Sequence, residues 1–331
     1  MVTILPALRQ VREDLGRLFS RKTVEAVCRK IGYRWRQRGL GPWETLQLFM
    51  LQMLHRNTAM VHLPHLSGER FTASAYCQAR QRLPIELLQA LADELSDQLC
   101  GGEDLHDWHG HRVWMMDGSG ISMPDTESLQ AAFGRPGNQK PGCGFPVAHV
   151  LATMDTKAGF LRDVVARPLR TQDIALVDQV HPKMSAGDIV LGDRGFCSYV
   201  HLALVLQRNL HGVFRMHQKQ IVDFRPGRRT AKQGDSKGRP RSRWIKRLGV
   251  CDQIVEWRKP ASRPKWMSVE MFDRVPQALL VREIKKSIRM KGRRVKEITL
   301  ATTLLDADRY PAEDLLLLYK QRWQIEVNLR D

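Results

Sequence analysis

Two short apolar runs in this chain each end in an aspartate. Val113-Trp114-Met115-Met116 leads into Asp117-Gly118-Ser119, and Ile189-Val190-Leu191-Gly192 leads into Asp193-Arg194-Gly195-Phe196. A short apolar run closed by glycine reads as a strand buried on both faces. A carboxylate at the end of such a strand is costly unless something compensates its charge. A divalent metal ion would do so, and carboxylate oxygens are the hard ligands that Mg²⁺ prefers. The two runs therefore predict a buried sheet whose strand ends carry acidic groups with a task.

A third acid stands far away in sequence. Pro311-Ala312-Glu313-Asp314 opens a helix, with proline in the first turn and acids just behind it. Leu315 to Leu318 and then Tyr319-Lys320-Gln321-Arg322-Trp323-Gln324-Ile325-Glu326 continue it. Tyr319, Arg322 and Glu326 share one helical face. The carboxylate can hold a metal, and the guanidinium can fork onto phosphate oxygens. Taken alone, the stretch reads better as a surface helix with an i, i+4 Arg–Glu pair, which is common and weakly stabilising. The two strand-end aspartates favour the first reading.

Between these points the pattern is α/β. Strands are expected at 113–117, 146–154, 159–167, 188–192 and 212–216, with Gly159 marking a hairpin turn, and helices at 172–180 and 198–208. Residues 1 to about 100 read as helical, with a basic stretch from Arg29 to Arg38 that suits either DNA-end binding or plain packing. Gly-, His- and acid-rich residues 101–112 read as a linker. Asp193 and Glu326 are 133 residues apart, too far for one connection in a compact core, so a folded insertion is expected. Its apolar runs are short and β-like. They are broken by a basic loop from Arg225 to Arg243 that holds Arg225, Arg228, Arg229, Lys232, Lys237, Arg239, Arg241 and Arg243. Trp244, Trp257 and Trp266 stand among these charges, to stack on bases or, for Trp257 above all, to fill a small core.

Charge locates the partner. The chain carries +18, and residues 208–300 hold 26 Lys plus Arg against 8 Asp plus Glu, which is the whole excess; the other 27 of each cancel. One-sided charge on this scale calls for a polyanion. No amphipathic basic helix or long apolar run points to a membrane. Six scattered cysteines with no Cys-x-x-Cys pair signal neither zinc nor a disulfide framework and suit a reducing cytoplasm. The first twelve residues do not read as a signal peptide.

Asp117-Gly118-Ser119, Asp193-Arg194-Gly195-Phe196 and the Tyr319, Arg322, Glu326 spacing together resemble the bacterial insertion-sequence DDE transposases of the class that includes the Tn5 transposase. The resemblance covers roughly residues 110 to 331. It implies an RNase H-like core with an inserted β-rich subdomain, preceded by a small helical domain. The implied parts are residues 1–105 (helical), 106–217 (first part of the core), 218–302 (basic insertion) and 303–331 (the Glu helix). It also implies metal-dependent cleavage and strand transfer of double-stranded DNA, transposon end and target, by a homodimer on DNA. Asp117, Asp193 and Glu326 would hold two Mg²⁺ or Mn²⁺ ions. Tyr319, Arg322, Arg194, Arg225, Arg228, Arg229, Arg241 and Arg243 would contact the DNA. The family's Lys seven residues after the Glu would fall just beyond Asp331, so the chain is expected to stop short of its relatives. Lys296-Glu297-Ile298 stands where relatives carry a base-flipping Trp. Two other readings compete: a transposase-derived DNA-binding regulator without full activity, and a basic metal-dependent nuclease.

Overall fold

The structure is a computed structural model that describes residues 20–37, 39–100, 106–137, 144–231, 238–290 and 293–322. The chain divides into two compact units, residues 1–101 and 102–331.

The first unit is helical: α1 (Arg21–Lys30), α2 (Pro42–Leu54), α3 (Leu63–Ser67), α4 (Ala73–Arg82) and α5 (Ile85–Cys100). Its helices begin where the side chains can cap them. Ser20 accepts from Thr23 N at 3.0 Å and Thr72 from Ala75 N at 3.1 Å, while Pro42 opens α2 and Glu44 reaches back to Gly41 N at 3.1 Å. Val24, Val27, Cys28, Trp43, Leu46, Leu87 and Leu91 close a core between α1, α2 and α5. Arg29, Lys30, Arg34 and Arg36 of the basic stretch are exposed, and Arg38 lies outside the described residues.

The second unit is a mixed α/β structure built on one large sheet. Its strands are β1 (Val113–Ser122), β2 (Val147–Asp155), β3 (Leu161–Pro168), β4 (Ile189–Gly192), β5 (His211–Arg215), β6 (Arg243–Gly249), β7 (Asp252–Arg258), β8 (Ala278–Met290) and β9 (Arg293–Thr302). They lie in the order β3-β2-β1-β4-β5-β9-β8-β7-β6. β1, β4 and β5 are parallel, and the remaining pairs are antiparallel. The accompanying helices are α6 (Glu127–Phe133), α7 (Val177–Val180), α8 (Tyr199–Gln207), α9 (Val269–Asp273) and α10 (Ala312–Gln321). The expected strands and helices fall within a few residues of those observed. The stretch between 219 and 300, expected to be a β-rich insertion, contributes strands β6 to β9. Through β9 on β5, with Val213 opposite Thr302, those strands continue the main sheet. No helix among the described residues is long and apolar enough to cross a membrane.

Side chains alternate along each strand, so the sheet buries two cores. Met116, Val190 and Phe214 face α7 and α8 on one side. Val113, Met115, Ile189, Leu191 and Val213 face Leu315, Leu318 and Tyr319 of α10 on the other. Buried polar contacts fix the joints. Arg282 on β8 forks onto Asp252 of β7 at 2.8 and 2.5 Å and donates to Tyr310 O at 2.7 Å, tying the sheet to the turn before α10. Of the linker histidines, His109 and His111 are docked. His111 Nδ1 donates to Gly187 O at 2.6 Å, and its Nε2 therefore accepts the Tyr310 hydroxyl at 2.7 Å.

Behind the Asp193 turn lie two stacked, fully buried imidazoles. His201 Nδ1 donates to Phe196 O at 2.7 Å, which leaves its Nε2 to accept from His181 Nε2 at 3.2 Å. Burial pushes His201 down to about 4 and His181 down to about 2. Folded-state values below the ordinary histidine value make stability complete above about pH 6.5, with a loss as pH falls and the unfolded chain takes up protons. Urea unfolding at pH 7 and pH 5 checks this. His181→Phe should lose about 2 kcal/mol less than the parent chain over that interval. Equal losses would mean that His181 takes up its proton as readily in the fold as in the unfolded chain.

Candidate active site

The site forms at the carboxyl ends of β1, β4 and β5, the end of a parallel sheet where ligands bind in open α/β folds. β1 and β4 pair with Met115 opposite Leu191. Asp117 stands two residues further along β1, and Asp193 directly follows β4, so both lie at the carboxyl end of this strand pair. Asp117, Asp193 and Arg215 continue the odd-numbered series whose inner members pack against α10. That helix delivers the remaining groups. Arg322 Nη1 lies 3.7 Å from Asp117 Oδ2, and Asp193, Arg215 and Arg322 all act electrostatically on Tyr319.

Each carboxylate is oriented by the glycine that follows it. Asp117 Oδ1 accepts from Gly118 N at 3.1 Å, and Asp193 Oδ1 accepts from Gly195 N at 2.7 Å. Both aspartates are half-buried. One oxygen of each is thus held by backbone, and the other oxygen of Asp117 lies near Arg322. Two hard oxygen donors suit Mg²⁺ or Mn²⁺. Among the described residues no third His, Cys, Asp or Glu joins them. Glu326, the expected third ligand, lies outside the described residues, as does Trp323.

The expected DNA contacts divide by placement. Arg194 is exposed in the turn after Asp193. Arg322 is buried against Asp117. Tyr319 is 1% exposed and belongs to the core beneath the site; burial pushes its phenol up to about 12. In the basic loop, Arg225 is exposed and forks onto Asp223 at 2.8 and 3.1 Å, and Arg243 forks onto Glu256 at 2.6 and 3.1 Å. Arg229 and Arg241 are exposed. Arg228 is turned inward, donating to Asp223 O at 2.6 Å, Ser242 O at 2.6 Å and Ser242 Oγ at 2.8 Å, so it closes the base of the loop. Lys232 and Lys237 lie outside the described residues. Trp257 is buried and donates to Glu283 Oε1 at 2.9 Å, Trp266 packs on the α8-side core, and Trp244 is half-buried.

Three site residues escaped the sequence reading. Arg215 ends β5 as Asp117 ends the buried part of β1, and the same apolar-run-then-charge pattern, Gly212-Val213-Phe214-Arg215, marks it. Asp173 and His149 carry no such signal. They contact each other on the opposite face of β1, and the Asp173 carboxyl is seated on Gly118. A Cβ at residue 118 would lie 2.5 Å from Asp173 Cγ, so any larger residue beside Asp117 must push the Asp173 carboxyl aside. By contrast Asp155, Asp163 and Asp188 are taken up by the fold. Asp155 caps the turn at Lys157 and Ala158, Asp163 pairs with Lys183, and Asp188 accepts Trp114 Nε1 at 2.7 Å.

Comparison with known proteins matches residues 108–331 to the family described as "Transposase DDE domain". Transposase InsG for insertion sequence element IS4, from Escherichia coli K12, is 25% identical over 269 residues, 80% of this chain and 54% of InsG. The chain thus spans about half the length of that relative. Among solved structures, the piggyBac transposase in a synaptic complex with hairpin DNA overlaps 94% of this chain and 66% of its own at TM-score 0.41 and 10% identity. A pre-cleavage Mos1 transpososome overlaps 54% and 61% at TM-score 0.20 and 12% identity. Neither overlap is close enough to bear on the fold.

Gly118→Ala should cost about 1–3 kcal/mol in urea unfolding. Adding Asp173→Ala should recover most of the loss, because it removes the group that the new methyl meets. A Gly118→Ala chain as stable as the parent would show that Asp173 is not seated on β1.

Proposed function

We propose that this chain, which belongs to the transposase DDE domain family, cuts double-stranded DNA at the ends of an insertion sequence and joins the freed 3′ end to a target strand. The family match and the IS4 relative support the activity. The observation that supports carrying it to residues is the parallel β1–β4 pair, which ends at Asp117 and Asp193, with Arg322 at the end of α10 lying 3.7 Å from Asp117. These three acids are the proposed ligands of a pair of Mg²⁺ or Mn²⁺ ions. Such a pair supplies an activated nucleophile and a stabilised leaving oxygen for in-line phosphodiester chemistry.

The chain's own groups then have definite tasks. Asp117 and Asp193 are held by the N–H groups of Gly118 and Gly195, so they are pre-set for the ions and need little reordering. Arg194, Arg215 and Arg322 bring positive charge to the place where a phosphate must sit. Tyr319 stays neutral and fixes the helix beneath them. The exposed arginines of the basic loop, Arg225, Arg229, Arg241 and Arg243, follow the flanking phosphates. Residues 106–217 and 303–331 form an RNase H-like core of the class that includes the Tn5 transposase, and residues 218–302 form its DNA-holding insertion. The helical residues 1–105 bind the transposon end, and two copies of the chain act together on DNA.

Asp117→Asn and Asp193→Asn test the assignment, with an insertion-sequence-end duplex as substrate and Mn²⁺ present. Each should cut strand cleavage by more than about a hundredfold and leave duplex affinity within about threefold. Undiminished cleavage would refute it. The salt dependence of duplex binding tests the loop separately. Arg229→Ala with Arg241→Ala should flatten the log–log slope by about 2. Arg228→Ala should appear instead as lost thermal stability.

A further inference from the structure

Arg322 occupies an unusual place for a phosphate-binding group. It is buried, with Nη1 3.7 Å from Asp117 Oδ2 and its guanidinium carbon 5.9 Å from the centre of the Tyr319 ring. A cation in so enclosed a place needs a compensating charge. Asp117 supplies it, through the oxygen that Gly118 N leaves to the site. That oxygen is also the one a divalent cation would take, and two cations crowded onto one half-buried carboxylate repel each other strongly.

Around Tyr319, Arg215 and Arg322 stand beside the acids. A divalent cation on Asp117 adds two positive charges next to Arg322, and the repulsion is relieved when an anion arrives or the guanidinium moves out. Arg322 is able to move: it is the C-cap of α10, at φ −52 and ψ −30, and a long side chain reaches a new partner by rotation alone.

We propose that Arg322 is a built-in counter-ion of Asp117, that a divalent cation displaces it, and that the displaced guanidinium then binds a DNA phosphate. One side chain thereby couples cation loading to DNA binding. The coupling is reciprocal, since each ligand must raise the affinity of the other by the same factor. The inference rests on the reading of Asp117 as a metal ligand.

The test uses the full chain and reads binding only. Free Mn²⁺ is followed by electron paramagnetic resonance during titration, without DNA, for the parent, Asp117→Asn, Arg322→Gln and Arg322→Lys. Binding of a short duplex is followed by fluorescence anisotropy, with and without saturating Mn²⁺. Arg322→Gln should bind Mn²⁺ about tenfold tighter than the parent, and the gain in duplex affinity on adding Mn²⁺ should largely disappear. Arg322→Lys keeps the charge and lacks the fork. It should hold Mn²⁺ affinity near the parent value and lose part of the coupling, so it decides the matter should Arg322→Gln fail to fold. If Asp117→Asn weakens Mn²⁺ binding while Arg322→Gln leaves it unchanged or weaker, the counter-ion role is overturned and the metal-ligand reading stands. If Asp117→Asn binds Mn²⁺ as well as the parent, the metal-ligand reading falls and takes the inference with it.

Discussion

A carboxylate held half out of water between the layers of a sheet must have company, and the second unit is arranged around that requirement. Asp117 and Asp193 are brought together by parallel pairing of β1 and β4, which concentrates negative charge at one edge of an apolar core. The chain meets the cost by docking α10 on that face, so that Arg322 and Arg215 stand near the acids and Tyr319 seals the core below. Parallel pairing demands a crossover between the strands, and the antiparallel β2–β3 arm with α7 supplies it. Phe196, held through its carbonyl by His201, whose imidazole in turn pairs with that of His181, lies 2.9 Å from where a Cβ on Gly192 would stand, and so fixes the turn that presents Asp193.

The same requirement explains the path of the chain between Asp193 and α10. Strands β6 to β9 form no sheet of their own; they lengthen the existing one, and β9 is antiparallel to β5. Arg282 then bridges from β8 to Asp252 and to the carbonyl of Tyr310, at the turn that launches α10. A single buried guanidinium therefore relates the basic half of the unit to the helix carrying the site. Truncating such a pair leaves a charge stranded in the core, which is far more damaging than never having had it.

Much of this was readable before any coordinates. Strand-end aspartates, the hairpin at Gly159 and the start of α10 at Pro311 all have local causes: an apolar run, a residue with positive φ, a ring that fits a first turn. The partnership of Asp117 with Asp193 was open to inference from two matching motifs, while the register that creates it was not, because strand pairing is decided by packing across the sheet. Arg228 shows the limit clearly. Its neighbours in sequence are basic and exposed, and only the return of the chain at Ser242 turns it into a structural clamp. Asp173 and His149 were beyond reach for the same reason, since their contact with Gly118 joins three separate elements. Arg215 carries the same signal as Asp117, an apolar run closed by a charge.

The clamp at Arg228 bears on how such a protein can change over generations. By gripping Asp223 and Ser242 together, it closes the loop at its root and isolates the strands from whatever the tip contains. Lengthening a closed loop costs little, about 0.6 kcal/mol for each doubling. Insertions, deletions and charge substitutions between the two anchors can thus accumulate with little effect on the sheet or on the acids at its far end. On the proposed reading, the loop offered to DNA can drift while Asp117 and Asp193 stay put, so one frame can be fitted to new sites by rewriting surface residues alone.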